Sequence, residues 1–318
     1  MKDEEKEEET GGREETKLKL KSTRGRPASS TDPLAALSPR PRDSESPNPS
    51  FHPSKRFGQN FLTDQRIINR IIEALEPRRD ETILEIGPGR GALTAPLLGQ
   101  VGSLVAIEFD RNLIPLLAQR FGGLENFKLV QSDALVTDIC EVIRPATTAK
   151  IVANLPYNIA TAILQRLIKQ RSCLNEMVLM LQKEVVERIN APPGTGDRGY
   201  LSVFVQAYCE TEKLFDVAPG SFRPAPKVWS SVVKLRLRPQ LAADVKNERL
   251  LWQVVSAGFA QRRKTILNNL RSAPSPLRES VKSYGGASIV VCQAEVDLQR
   301  RAETLTIEEW AKITNVMV

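Results

Sequence analysis

Along the chain the apolar residues change their period several times, and each change marks an element. Ile67, Ile68, Ile71, Ile72 and Leu75 recur at the spacing of one helix face, so an amphipathic helix is expected there. Thr82-Ile-Leu-Glu-Ile86 reads as a short strand, and Gly87-Pro-Gly-Arg-Gly91 as a tight turn with a helix starting after it. The alternation continues. Leu104-Val-Ala-Ile107, Phe127-Lys-Leu-Val130, Ile151-Val-Ala153 and Met177-Val-Leu-Met-Leu181 read as strands, and the stretches from Arg111 to Arg120 and from Ile159 to Lys169 as helices. Short apolar strands separated by helices imply a parallel sheet covered on both faces, an α/β fold of the Rossmann-like, doubly wound kind. Val233, Leu235 and Leu237 alternate with Lys234, Arg236 and Arg238, which predicts a late strand with one apolar and one basic face. From Asn247 onward the pattern turns helical through Leu250, Leu251, Val254, Val255, Gly258 and Phe259, and only Ile289-Val-Val291 suggests a strand. The expected division is a tail over 1–50, an α/β domain over 51–240 and a small helical domain over 241–318.

Composition sharpens that division. Residues 1–50 begin with the acidic block Met1-Lys-Asp-Glu-Glu-Lys-Glu-Glu-Glu9, pass through a basic stretch and end rich in Ser and Pro. Such a segment buries too little surface to offset its ordering entropy, so it reads as disordered. It lacks a signal peptide's apolar core, and a transit peptide should be poor in acids. The tail holds 10 Lys/Arg against 11 Asp/Glu, so the remaining 35 basic and 27 acidic residues give the rest of the chain a net charge of +8. A basic folded body points to a polyanionic partner, nucleic acid first, although many soluble proteins are mildly basic. Cys140, Cys173, Cys209 and Cys292 form no C-x-x-C pair, so neither a zinc site nor a disulfide framework is expected, and a reducing compartment fits. No segment approaches the ~20 apolar residues of a membrane span. A cytoplasmic protein is the expectation.

The glycine turn sits where the first strand of the α/β pattern meets its helix. Glycines there allow positive φ and let a ligand approach the backbone. In a doubly wound sheet, ligands bind beyond the carboxyl ends of the strands. Glu108 ends the second strand, where a carboxylate can accept from both hydroxyls of a ribose, and Asp133 ends the third, where it can meet an adenine amino group. Gly87, Gly89 and Ala92 with Glu108 also mimic a dinucleotide fingerprint, so the turn alone separates neither NAD from S-adenosylmethionine nor a cofactor site from a structural turn. The closely following Gly91, and a single histidine, His52, at the edge of the tail, lean toward the methyl donor.

The fourth strand runs into Asn154-Leu-Pro-Tyr157. The exocyclic amine of adenine suits this corner as a methyl acceptor. Its lone pair is delocalised and its protons are too weakly acidic for an ordinary base, so help must come from geometry. The Asn154 amide oxygen and the Leu155 carbonyl can each accept an N–H, favouring a pyramidal nitrogen whose lone pair faces the methyl group. Pro156 stiffens the turn. Tyr157 offers a flat ring to the purine. Transfer is then an in-line displacement governed by orientation, with the proton lost late and no base required. The plainer alternative is a turn in which Asn154 caps the next helix and Tyr157 is half-buried.

Several blocks resemble one family. Lys55-Arg-Phe-Gly-Gln-Asn-Phe-Leu-Thr-Asp64, Glu85 to Thr94, Ala106-Ile-Glu-Phe-Asp110, Ser132-Asp-Ala-Leu135, Asn154 to Thr161, Leu181-Gln-Lys-Glu-Val185, Pro219 to Val228 and Phe259-Ala-Gln-Arg-Arg-Lys-Thr265 occur in order from about Phe51 to the C-terminus. They resemble the bacterial small-subunit rRNA adenine N6,N6-dimethyltransferases. The resemblance implies a Rossmann-like S-adenosylmethionine-dependent methyltransferase with a small helical C-terminal domain. It implies dimethylation of two adjacent adenines near the 3′ end of 16S rRNA in the small ribosomal subunit, by a monomer. It places Gln59, Asn60 and Leu62 over the cofactor's methionine end with Gly87 and Gly89 beneath, Glu108 at the ribose, Asp133 and Ala134 at the adenine, and Asn154, Leu155 and Tyr157 at the acceptor. Phe222 would stack on the target base opposite Tyr157, or from its residue type alone be core.

Arg223 and Lys227 flank the proposed base pocket, and Arg262, Arg263 and Lys264, with Arg271 beyond, open the helical part; as RNA contacts they would neutralise phosphates, and as a solvated surface they would do nothing. The rival readings are a 23S rRNA adenine methyltransferase of the macrolide-resistance type, a non-catalytic RNA-binding assembly or transcription factor, and more distantly a dehydrogenase.

Overall fold

The first described residues, Gln59 onward, run straight into β1 (Phe61–Leu62) and helix α1 (Gln65–Leu75) of the computed structural model. It describes residues 59–318; the tail, His52 and the first part of the Lys55–Asp64 block lie outside the described residues. β2 (Thr82–Ile86), β3 (Ser103–Glu108), β4 (Phe127–Gln131), β5 (Ala149–Asn154) and β6 (Leu174–Gln182) alternate with α2 (Thr94–Leu98), α3 (Ile114–Phe121), α4 (Ile139–Val142) and α5 (Ala160–Lys169). Then come α6 (Lys183–Asn190), α7 (Tyr200–Tyr208), β7 (Cys209–Val217), the short β8 (Phe222–Arg223) and β9 (Ser230–Leu237). The rest is helical: α8 (Glu248–Gly258), α9 (Ile266–Arg271), α10 (Leu277–Ser283), α11 (Ala287–Gln293) and α12 (Ile307–Asn315).

Seven strands form one sheet in the order β4-β3-β2-β5-β6-β9-β7. The strands from β2 to β6 pair in parallel, and β9 runs antiparallel between β6 and β7. Alternate residues of each parallel strand feed opposite cores. Leu84, Val105 and Ile151 pack with Ile163 and Leu167 of α5, while Ile83, Leu104 and Val152 pack with Ile68, Ile71 and Leu75 of α1. Burial at this depth stabilises by about 1.5–3 kcal/mol per large side chain, which is why these runs settle as two-sided strands. Asp64 caps α1, its side chain accepting from Arg66 N at 3.0 Å. The strand order reverses between β2 and β5, and β1 pairs with β8 in a separate two-stranded ribbon. A third core gathers Leu251, Val254, Ile266, Leu270, Val290 and Trp310 from the later helices with Val203 of α7, inside one compact unit that holds all the described residues. Trp252 packs against both this core and that of the sheet.

Three expectations need correction, and one strand lies where none was expected. Ile289-Val-Val291 lies within α11, because Val290 and Val291 face the helical core while Ile289 is exposed. The basic face of the late strand is incomplete: Lys234 is 5% exposed and pairs with Glu76 at 3.0 Å and Glu176 at 3.4 Å. The strand is flanked on both sides, which a chain alternation cannot reveal, and its outer neighbour β7 went unread because its Glu and Lys residues mask an edge strand. Finally, Cys140 and Cys173 are joined in a disulfide across 33 residues. They are distant in sequence and adjacent in space, since α4 and the turn before β6 meet at one end of the sheet.

Candidate active site

The turn after β2 has Gly87, Gly89 and Gly91 at φ of +68°, +60° and +81°. A side chain at Gly91 would strike the Phe121 ring, and one at Gly89 would meet Phe61 at 3.1 Å. At Gly87 a Cβ would meet nothing within 4 Å, so this glycine faces open space. Glu85 fixes the turn from behind. Thr94, the first residue of α2, donates to its Oε2 at 2.6 Å, tying the end of β2 to the start of the helix. Burial pushes the Glu85 carboxyl up to about 7 despite that bond, with the nearby Glu108 charge adding to the rise.

Glu108 ends β3, 6% exposed. Its Oε1 accepts from Asp110 N at 2.8 Å and its Oε2 from Gly89 N at 3.1 Å. Burial raises its pKa, and those backbone bonds hold it down. The backbone N–H groups of Gly89, Asp110 and Phe109 occupy part of the carboxylate's roughly four lone-pair positions, and what remains is open to a ribose hydroxyl. Asp133 follows β4, and its Oδ1 accepts from Leu135 N at 2.9 Å. Gly87, Glu108, Asp133 and Ala134 line one cavity of about 250 Å³, walled by Pro156 and Ile159. Gln59 reaches across it and donates to Asp110 Oδ2 at 2.8 Å. Asp110, which also takes Asn112 N at 3.0 Å, and Glu85 carry structural roles that the sequence reading did not assign. The signal for both was present, since each is an acid inside a quoted motif.

A second cavity opens beside the first, lined by Gln59, Asn60, Gly87, Glu108, Asn154, Leu155 and Tyr157. Asn154 ends β5, and its Nδ2 donates to the Asn60 carbonyl at 3.0 Å. That bond holds the amide by its nitrogen and leaves Oδ1 as an acceptor. Asn154 does not cap α5, whose N-cap is Ile159 without a side-chain bond. The Leu155 side chain is buried. Tyr157 donates to or accepts from Ser230 Oγ at 2.6 Å, and burial raises its pKa, so the phenol stays neutral.

Other expected residues fall elsewhere. Leu62 is buried, pairs with Phe222 across the β1–β8 ribbon and lines a small cavity behind the glycine turn. Phe222 is fully buried in the core with Val217 and Val232 and lines none of these cavities, so the core alternative describes its place here. Arg223 and Lys227 are exposed before β9; Arg223 Nη1 donates to the carbonyls of Gly220 at 3.1 Å and Phe222 at 2.8 Å. Arg262, Arg263 and Lys264 are exposed ahead of α9, with Arg262 bonded to the Gly196 carbonyl.

An open glycine, a carboxylate with spare acceptor capacity and an acid at the third strand end fit a nucleoside with a charged tail. The fold and crevice define a Rossmann-like S-adenosylmethionine-dependent methyltransferase. The family model "Ribosomal RNA adenine dimethylase" matches residues 50–313, and the chain belongs to that family. It is 40% identical over 261 residues to the ribosomal RNA small subunit methyltransferase A of Hahella chejuensis, covering 82% of this chain and 91% of that one. The Pseudomonas putida protein of that name is 47% identical over 217 residues, 68% of this chain and 81% of its own. Among solved structures, a dimethyladenosine transferase from Plasmodium falciparum aligns with TM-score 0.68 and 25% identity over 80% of this chain and 95% of its own. The 23S rRNA methyltransferase ErmE aligns with TM-score 0.60 and 26% identity over 81% and 99%. The protein is an S-adenosylmethionine-dependent rRNA adenine dimethyltransferase, and RNA is its partner. Among the described residues no helix is long and apolar enough to cross a membrane.

Proposed function

We propose that the protein dimethylates N6 of two adjacent adenines near the 3′ end of 16S rRNA, within the small ribosomal subunit and as a monomer. The 40–47% identity over most of the chain to relatives named ribosomal RNA small subunit methyltransferase A supports this target. The observation that carries the chemistry is Asn154, gripped through its nitrogen by Asn60 and so presenting an acceptor oxygen at the cavity beside Gly87.

When bound, S-adenosylmethionine supplies a sulfonium methyl. Glu108 would accept from its ribose, Asp133 and Ala134 would meet its adenine, and Gln59, Asn60 and Gly87 would hold its amino-acid end. Asn154 Oδ1 and the Leu155 carbonyl accept the two N–H bonds of the target amine and set its lone pair. Tyr157 stacks on the base, its hydroxyl braced by Ser230. No side chain here takes the proton early: the Tyr157 phenol is held neutral, and Glu85 is enclosed with Thr94. The second methylation engages one of these two acceptors, since a single N–H remains after the first. Arg223, Lys227, Arg262, Arg263 and Lys264 meet phosphates, the last three from a helical RNA-binding part over 241–318. This reading places the protein in the cytoplasm.

The test is methyl transfer from labelled donor to under-methylated small subunits, with naked 16S and 23S rRNA alongside. Label is expected at the two adjacent adenines of the small-subunit RNA. Asn154→Ala should abolish incorporation and leave RNA binding largely intact; sustained turnover by that variant contradicts the acceptor role.

A further inference from the structure

α9, α10 and the start of α11 enclose a surface cavity of about 290 Å³ that the methyl-transfer site does not use. Its floor is apolar, made by the buried Leu270, Val281 and Ala287. Its rim is cationic. Arg271 closes α9, and Arg278 and Lys282 stand one turn apart on α10, a spacing that puts both on one helix face. Gly285 and Gly286, at φ of +88° and +95°, turn the chain so that Ser288 faces Arg271, whose Nη2 donates to its Oγ at 3.1 Å.

All three cations are exposed, and among the described residues none has a carboxylate within ion-pair distance. The acid on the same helix, Glu279, receives a bond from Ser275 Oγ at 2.6 Å. Several other basic groups are paired: Lys183 and Lys213 share Asp216, Lys234 holds Glu76 and Glu176, and Lys312 holds Glu295. Three positive groups around one cavity repel one another, and among the described residues no ion pair offsets that repulsion. An anion would. Arg262, Arg263 and Lys264 precede the opposite end of α9, a helix only about 9 Å long at 1.5 Å per residue. A polyanion can engage both cationic groups together, and a single small anion cannot.

We propose that the cavity bounded by Arg271, Arg278, Lys282 and Ser288 seats a backbone phosphate of the substrate RNA, away from the target base. The proposal rests on the reading of the protein as an enzyme acting on rRNA. Full-length protein is titrated with a 16S rRNA transcript from about 50 to 300 mM salt. Arg278→Ala/Lys282→Ala should flatten the slope of log affinity against log salt by about 0.7, the change for one lost phosphate contact on single strands. The single Lys282→Gln, a surface change compatible with folding, should show about half of that. A control double, Arg78→Ala/Arg144→Ala, removes the same charge from two exposed ion pairs of the α/β body and should leave the slope unchanged. An unchanged slope in the Arg278/Lys282 double, or equal flattening in the control, overturns the proposal. Labelling of rRNA by the wild type is read separately, so failure of the enzymatic assignment and failure of the phosphate site are told apart.

Discussion

Asn154 and Glu85 lie close in the fold and show opposite uses of a polar side chain at a strand's end. Asn154 is held at one atom so that another remains available, and its worth is positional. Glu85 is sealed at 1% exposure and its worth is structural. Its folded pKa of about 7 lies above the ordinary 4.5. Between those values the native state keeps a proton that the unfolded chain has released, so stability falls as pH rises through that window and the cost is complete above it. Glu85→Gln keeps the shape and removes the charge. In urea unfolding the variant should be more stable than wild type at pH 8, by on the order of 2–3 kcal/mol, and indistinguishable from it at pH 4. Equal differences at both pH values would contradict a proton held at Glu85. The acids and the amide were legible in the sequence because they stand at the ends of apolar runs. Their division of labour was not, because it depends on which neighbour each side chain finds.

The loop that follows β4 shows the same limit one level up. It carries Asp133 and Ala134, and it is held against the end of α5 by groups remote in sequence. Gln170 Oε1 accepts from Ile139 N at 2.8 Å, its Nε2 donates to the Thr137 carbonyl at 3.2 Å, and the Cys140–Cys173 bond closes the same junction. Closing a loop of 33 residues restricts the unfolded chain by about 3–4 kcal/mol on the loop-entropy account. Cys140→Ser, or reduction of the wild type, should therefore lower the melting temperature and weaken methyl-donor binding through the loosened loop. Calorimetry with and without reductant checks the first, and titration calorimetry the second; a melting temperature indifferent to reductant would show that the bond does not form in solution. A bond that persists also sets itself against a strongly reducing cytosol, so a non-reducing gel of protein taken from cells bears directly on the proposed location. Helices and parallel strands with clean periods were readable, whereas β7 and the pairing of the cysteines were not. An edge strand shows its charges to solvent, and a covalent contact depends on distance in space.

For the molecule as a whole, the reversal of strand order between β2 and β5 makes the crevice, and a cofactor in it draws together the ends of β2, β3 and β4. Binding only to the folded state, S-adenosylmethionine at 100 times its Kd should add about 2.7 kcal/mol, a melting shift of several degrees. Gly87→Ala should lose that shift while folding, because its Cβ enters the space reserved for ligand and an alanine at φ of +68° costs only about 1–2 kcal/mol. A full shift in the variant would place the ligand elsewhere. The sequence by itself determined the α/β alternation, the glycine turn, the acids at the strand ends and the Asn-Leu-Pro-Tyr corner, since hydrophobic period and turn chemistry are local properties. Only the tertiary structure decided that Lys234 is buried, that Phe222 is core, that Asn60 holds Asn154 and that three unpaired cations surround one cavity. Each of those facts depends on residues far apart in the chain, and packing alone brings them into contact.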